Sequence, residues 1–164
     1  MAKKAVKHPK KKSKTFSALL EADHKKVKSL FKQFEKTEDE DEKRELVQSV
    51  IKELEIHTQI EEEILYPAMR EVKELEEEGL VDESYVEHDV AKRLMEELSG
   101  MEPGDEQYDA KVSVLSEIIN HHVEEEEEEI FPKAEKNLDS AGIAEQLAQR
   151  KEELLGGAQK RKAA

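Results

Sequence analysis

The chain has no cysteine and no tryptophan, and only four Phe and three Tyr in 164 residues. Without cysteine there is no disulfide framework, thiolate nucleophile, Cys-held iron-sulfur cluster or zinc knuckle. Any metal must be held by histidine and carboxylate. Long apolar runs are missing as well: no uninterrupted stretch of Ala, Val, Ile, Leu, Met, Phe or Tyr exceeds three residues. That excludes a membrane span and the apolar segment of a signal peptide, so a cytoplasmic location is expected.

What is present is charge. Lys and Arg number 27 against 41 Asp and Glu, a net charge of -14. The distribution is uneven. Residues 1–14 carry seven Lys and no acid, and residues 156–164 carry Lys160, Arg161 and Lys162, which leaves -24 on residues 15–155. Such a bulk composition matches a disordered acidic chain. The placement of the apolar minority argues otherwise.

Four segments space their apolar residues by three and four, the pattern of a helix with one buried stripe. They are Phe16, Leu20, Val27, Phe31 and Phe34; Val47, Val50, Leu54, Ile64 and Ala68; Tyr85, Ala91, Met95 and Leu98; and Tyr108, Val112, Leu115, Ile119 and Ile130. Thr15 can cap the first helix and Thr37 or Asp39 the second, Gly79 can close the second element, and Asp82 or Ser84 can open the third helix. Gly100 and Pro103-Gly104-Asp105 mark a turn. A shorter fifth helix is expected over about residues 140–155, burying Ile143, Leu147 and Leu154 or Leu155, with Gly156-Gly157 ending it. The predicted fold is all-α: an up-down-up-down four-helix bundle over residues 15–155 with a short C-terminal fifth helix. A disordered basic tail (residues 1–14) and a flexible basic tail (residues 156–164) flank it.

Pro67 and Pro132 fall inside helical patterns, where proline removes a hydrogen bond and clashes with the preceding turn, so a kink or an early end is expected at each. Ile64-Leu65-Tyr66-Pro67 also reads like Glu129-Ile130-Phe131-Pro132, displaced by 65 residues.

Each stripe carries a polar residue where an apolar one belongs: His24, His57 with Glu61, His88, and His122 with Glu126. The run Glu124–Glu129 sweeps about 600° of helix, so at least one of its carboxylates points inward. A buried carboxylate without a partner costs several kcal/mol, and the stripes contain no Lys or Arg to pair with it. A cation from outside the chain is the natural counter-charge. In His57-x-x-x-Glu61 and His122-x-x-x-Glu126 the side chains lie one turn apart, with Cβ atoms about 6 Å from each other.

Height is consistent within each hairpin. The midpoint of His24 and His57 is near residue 40, in the first link, and that of His88 and His122 is residue 105, in the Pro-Gly-Asp turn. The middle link fits only if the second helix bends. Straight helices on either side of Gly79 would leave His57 and His88 about 20 Å apart. The second helix must therefore stop or bend soon after Pro67, with residues 70–80 as a bend or a short separate helix.

These residues resemble the hemerythrin-like, or HHE cation-binding, family. The likeness is carried by Asp23-His24, by His57 through Pro67, by Glu87-His88, and by His122 through Glu126 followed by Ile130-Phe131-Pro132, and it covers about residues 15–137. It implies two iron ions in an oxo- or hydroxo-bridged pair, or manganese, with His24, His57, His88 and His122 as terminal ligands and Glu61 and Glu126 as bridging carboxylates. Oxygen carriers of this family have a further histidine four positions after the third-helix ligand, and here that residue is Lys92. The closer likeness is to members with a symmetric four-His, two-Glu pattern, which are associated with iron or oxygen sensing and with handling oxygen or nitric oxide species. His121 could supply a fifth imidazole or Tyr85 a phenolate, although neither stands at the family's position.

The function implied is binding or sensing of dioxygen, nitric oxide, peroxide or iron. A di-iron enzyme reducing peroxide or nitric oxide is the alternative, and a metal-independent helical interaction module is a third. The Lys-rich segment 1–14, with His8, could meet nucleic acid or an anionic membrane surface, but it has no interleaved aromatics and reads better as a solubilising arm.

Overall fold

The computed structural model describes residues 14–163, with side chains to residue 157, and every regular element among them is helical. The Lys-rich arm expected over residues 1–14 lies, apart from Lys14, outside the described residues. Four long helices correspond to the four stripes: α1 (Phe16–Phe34), α2 (Glu40–Ile60), α5 (Leu80–Ser99) and α6 (Tyr108–Glu125). Between α2 and α5 come a π turn (Glu61–Leu65) and two short helices, α3 (Tyr66–Met69) and α4 (Lys73–Glu78). A second π turn (Glu126–Ile130), α7 (Phe131–Asn137) and α8 (Ser140–Ala163) follow α6. No helix among the described residues is long and apolar enough to cross a membrane.

Local chemistry accounts for the boundaries. The Thr15 hydroxyl accepts from the Ala18 N–H at 3.2 Å, and Asp39 accepts from the Glu42 N–H at 2.8 Å. Glu40, Asp41 and Glu42 then place negative charge at the positive end of α2. Gly79, at φ 73°, stops α4 in a left-handed conformation, and α5 starts directly after it. That is earlier than the expected opening at Asp82 or Ser84, because the Ser84 hydroxyl bonds to its own helix, at Leu80 O, and caps nothing.

Two further expectations are corrected. The C-terminal helix is not short and does not end at Gly156-Gly157: α8 runs 24 residues to Ala163, so most of the expected flexible tail is helical. Each mid-helix Gly costs only about 1 kcal/mol relative to Ala, and good helix formers lie on both sides. The stripe of the second helix also changes phase after Glu61. Ile64 and Ala68 are only partly buried, while Leu65, Tyr66 and Met69 are fully enclosed; Tyr85, on the third stripe, is also only partly buried.

The π turns cause that phase change. Before Pro67 the Tyr66 N–H reaches back five residues to Glu61 O, and before Pro132 the Phe131 N–H does the same to Glu126 O. The wider turn relieves the clash that a proline ring makes with the preceding turn of an α-helix, so the chain passes helically through each proline and the helix ends soon after, at Met69 and at Asn137, as the expected early end requires. One extra residue enters each turn, and the buried face advances by one. Tyr66 and Phe131 thereby arrive on the same face as Glu61 and Glu126.

Helices α1 and α2 pair antiparallel, as do α5 and α6. Lys26 meets Glu53 across α1 and α2 at 2.6 Å, Lys111 meets Glu97 across α5 and α6, and Lys92 of α5 meets Glu62 at 2.6 Å in the π turn that ends α2. The break over residues 70–79 supplies the bend the middle link requires. The apolar core is divided in two: one cluster includes Phe16, Leu20, Ile60, Val81 and Ile130, the other Val27, Leu54, Ala91, Ile119 and Met95. Burying each such Val, Leu, Ile, Phe or Met side chain contributes about 1.5–3 kcal/mol. The four histidines fall at the boundary, His24 between Leu20 and Val27 and His122 between Ile119 and Ile130. A polar layer thus crosses the middle of the bundle.

Candidate metal centre

All six residues singled out from the stripes meet in that layer. Glu61 and Glu126 are 0% exposed, and the four histidines are buried. His24 Nε2 lies 3.2 Å from His57 Nε2, and His88 Nε2 lies 3.1 Å from His122 Nε2, as the hairpin levels require. The carboxylates join the two pairs. Glu61 places Oε1 3.3 Å from His57 Nε2 and Oε2 3.4 Å from His88 Nε2. Glu126 places Oε2 3.3 Å from His24 Nε2 and Oε1 3.4 Å from His122 Nε2. Each carboxylate therefore offers one oxygen to each half of the site.

The donor atoms are spaced for cations. His24, His57, Glu61 and Glu126 each bring one donor into a group no more than 4.8 Å across, and Glu61, His88 and His122 form a second such group. Glu61 Oε1 and Glu126 Oε2, which both face the first half, are buried with no hydrogen-bond partner. Orphaned carboxylate oxygens in a buried core are costly unless a cation takes them, so these residues fit a bound metal.

Charge tells the same story for the metal-free protein. Burial works against protonated imidazole, yet Glu126 and Glu87 outweigh it and raise His122 to about 9. His24 and His88 are raised for the same reason, against burial, by Glu126 and Glu61 respectively. Burial would raise Glu126, but His122 and His24 hold it down at about 2. Without metal, protons on His24 and His122 offset the buried charge of Glu126.

The outer ring nitrogens are engaged by a second set of acids. His24 Nδ1 donates to Glu127 at 2.8 Å, His88 Nδ1 to Glu62 at 2.9 Å and His122 Nδ1 to Glu87 at 2.7 Å. His57 Nδ1 faces Asp23 Oδ2 at the longer distance of 3.6 Å. A proton held on Nδ1 turns the Nε2 lone pair inward, as a metal ligand needs. The arrangement follows the internal repeat, with Asp23 and His57 matched by Glu87 and His122, and Glu62 and His88 by Glu127 and His24.

Sequence reading missed these roles. Asp23 and Glu87 precede His24 and His88 in the chain but serve the histidines of the next helix, and Glu62 and Glu127 stand inside runs of Glu whose spacing does not single them out. Tyr66 was missed as well. Its hydroxyl lies 3.0 Å from Glu126 Oε1, 3.0 Å from His88 Nε2 and 3.3 Å from Glu61 Oε2. Burial, then the charges of Glu126 and Glu61, push the phenol well above its ordinary value, so it is protonated. Its repeat partner is Phe131, which stacks on His24 with ring centroids 6.0 Å apart. That Tyr-for-Phe exchange was the signal available in the sequence: two equivalent positions, one with a hydroxyl.

The two residues offered as extra ligands stand outside the cluster. His121 is 64% exposed at the side chain and contacts Glu87 at 3.4 Å, and with Glu83, Glu87 and Glu125 it forms a separate, more exposed acidic group. Tyr85 packs edge-on against Tyr66 at 5.1 Å and carries Arg70 over its ring at 5.4 Å. Lys92 pairs with Glu62 at 2.6 and 2.7 Å, behind His88.

Comparison with known proteins bears on the family and the fold. A protein called a DNA nickase, from Nostoc sp., is 32% identical over 122 residues, which is 74% of this chain but only 34% of that protein. This chain thus spans about a third of that relative. A solved structure of a hemerythrin HHE cation-binding domain-containing protein from Mycobacterium kansasii superposes with a TM-score of 0.74 at 21% identity, covering 90% of this chain and 91% of that one, a likeness in fold. The family model for the hemerythrin HHE cation-binding domain matches residues 15–134, and the chain belongs to that family.

Proposed function

We propose that this protein holds two iron ions, or manganese in their place, between its imidazole pairs and uses them to bind or sense a small oxidant: dioxygen, nitric oxide or peroxide. The observation that carries the reading is the pair of buried carboxylates, each spanning both halves and each with an orphaned oxygen. A mixed set of imidazole nitrogens and carboxylate oxygens, without thiolate, suits iron and manganese. When bound, the metal supplies open coordination positions and redox chemistry. The chain's own residues orient the Nε2 atoms, exclude water with the two apolar clusters, and hold a proton at the Tyr66 hydroxyl.

Anaerobic titration of the apoprotein with Fe(II) tests this. The expected result is uptake of two ions per chain, with new near-ultraviolet absorption on admitting oxygen. A folded protein that takes up no iron overturns it.

The enzyme reading has an observation of its own, the Tyr66 hydroxyl, a neutral proton donor at one half of the site only. Tyr66→Phe makes the two halves alike and is expected to retain both metal ions. Reaction of the reduced, loaded protein with hydrogen peroxide is expected to slow about 100-fold, the lower end for loss of a positioned acid. An unchanged rate would leave Tyr66 a packing residue and favour binding over turnover. A metal-independent interaction module has nothing comparable behind it, since such a module gains nothing from a charged layer in its core. Nucleic-acid contact, raised by the name of the Nostoc relative, has only the seven lysines of residues 1–14 in its favour and a -24 body against it.

A further inference from the structure

Helix α8 lies outside the residues that define the family match, yet it reaches the metal centre. Leu147 and Ala144 are buried in the cluster that holds Phe16 and Leu20, which seats α8 on α1, α2 and the first π turn. From that seat two adjacent cations extend to different acids. Arg150 forks onto Glu63 at 2.7 and 3.2 Å, at the surface. Lys151 takes Oδ1 of Asp23, a residue only 7% exposed. The other oxygen, Asp23 Oδ2, faces His57 Nδ1 at 3.6 Å, and both atoms are buried without a hydrogen-bond partner.

Comparison with the repeat shows how unusual this is. Glu87, which stands to His122 as Asp23 stands to His57, makes its bond at 2.7 Å, and among the described residues its other partner is the exposed His121 at 3.4 Å rather than a lysine. Three histidines have a closed outer bond, and the fourth has an open one whose acceptor is gripped by the C-terminal helix. A cation on His57 Nε2 requires the proton on Nδ1, and that proton needs Asp23 Oδ2 as acceptor. Where Asp23 sits is set by Lys151.

We infer that Lys151 is a positioning residue for the first half of the metal centre, acting through Asp23 on His57, so that docking of α8 and occupation of the His24–His57 half favour each other. This rests on the metal-binding reading above. Coupling of this kind is reciprocal: a docked α8 tightens that half, and an ion in that half holds α8 down.

The experiment is anaerobic Fe(II) titration of the full chain against a chromophoric chelator, with folding checked by circular dichroism. In Lys151→Met one equivalent is expected to bind as in the unaltered protein and the other at least about 10-fold more weakly, the range for losing an outer partner of a ligand histidine. Lys151→Arg, which keeps the cation on Asp23, is expected to restore the second equivalent. Arg150→Gln, which loosens the neighbouring surface contact of the same helix, is expected to leave both unchanged. Two equivalents of unaltered affinity in Lys151→Met would overturn the inference and leave the metal reading intact. Equal weakening in Arg150→Gln would also overturn it, reducing the effect to helix packing. An unaltered protein that takes up no iron would overturn both.

Discussion

Loading the protein with iron is expected to raise its melting temperature by roughly 8–16 °C at neutral pH. A ligand at a thousand times its Kd stabilises the native state by about 4 kcal/mol, and for a domain of this size each kcal/mol moves the midpoint by about 2–4 °C. The increment should grow with pH, and the direction follows from the site. His24, His88 and His122 have folded values above the ordinary histidine value of 6.5, with His122 at about 9. Their ion pairs with the carboxylates stabilise the apoprotein fully below 6.5, and that contribution is lost as pH rises toward 9.

Above that window the apoprotein holds the buried Glu126 carboxylate without its imidazolium partners, while the loaded protein still has its metal. Metal also displaces the imidazole protons on binding, so its affinity rises over the same range. Glu126 does not interfere. Held near 2, it contributes stability that is present above the ordinary carboxylate value and lost only as pH falls toward 2. Thermal melts with and without chelator at pH 6, 7.5 and 9 check this; coincident melts at every pH would show that no cation occupies the layer.

Glu126→Ala is expected to damage both the metal centre and the fold, more than any single histidine substitution. Glu126 contributes one oxygen to each half, so its loss weakens both ions together, by more than the roughly 10- to 100-fold that losing an outer partner costs. His24→Ala, by contrast, touches only the first half. In the apoprotein Glu126→Ala takes the counter-charge from His24 and His122 inside a buried site. Removing one partner of a buried pair costs about 3–5 kcal/mol, and since these imidazoles can shed their protons, the low end, about 3 kcal/mol, is expected at neutral pH. Glu126→Gln keeps the volume and separates the effects: metal uptake should fall as far as in the Ala variant, with less loss of melting temperature. Chemical denaturation of the apo variants together with metal analysis checks both.

The six buried polar residues of the layer were legible because each interrupts a stripe. Periodicity is a one-dimensional property, and a His or Glu at an apolar position stands out without knowledge of what lies opposite. The level of the two histidine pairs was legible for a similar reason, since residues equidistant from a tight turn meet across a hairpin. The prolines showed that something happens to the backbone at 67 and 132, though not that the answer is a π turn. A kink and a widened turn both accommodate the ring, and the choice depends on whether Tyr66 and Phe131 gain a buried position by moving one residue around the helix.

The sequence by itself determined the helical class, the two halves of the repeat, the ordered set of four histidines and two glutamates, and the need for a break between Pro67 and Leu80. Only the tertiary structure decided what surrounds that set. Asp23 adjoins His24 in the chain, but successive residues on a helix point about 100° apart, so it faces His57 on the next helix instead. Glu62 and Glu127 look like solvated acids until a neighbouring helix brings an imidazole to them. Tyr66 enters the cluster through the phase shift of the π turn, and Lys151 reaches Asp23 from 128 residues away. Spacing along one helix is written in the order of residues. Contacts between helices depend on how the packed helices turn their faces toward one another, and it is there that a run of surplus acids becomes a matched set of partners for four buried imidazoles.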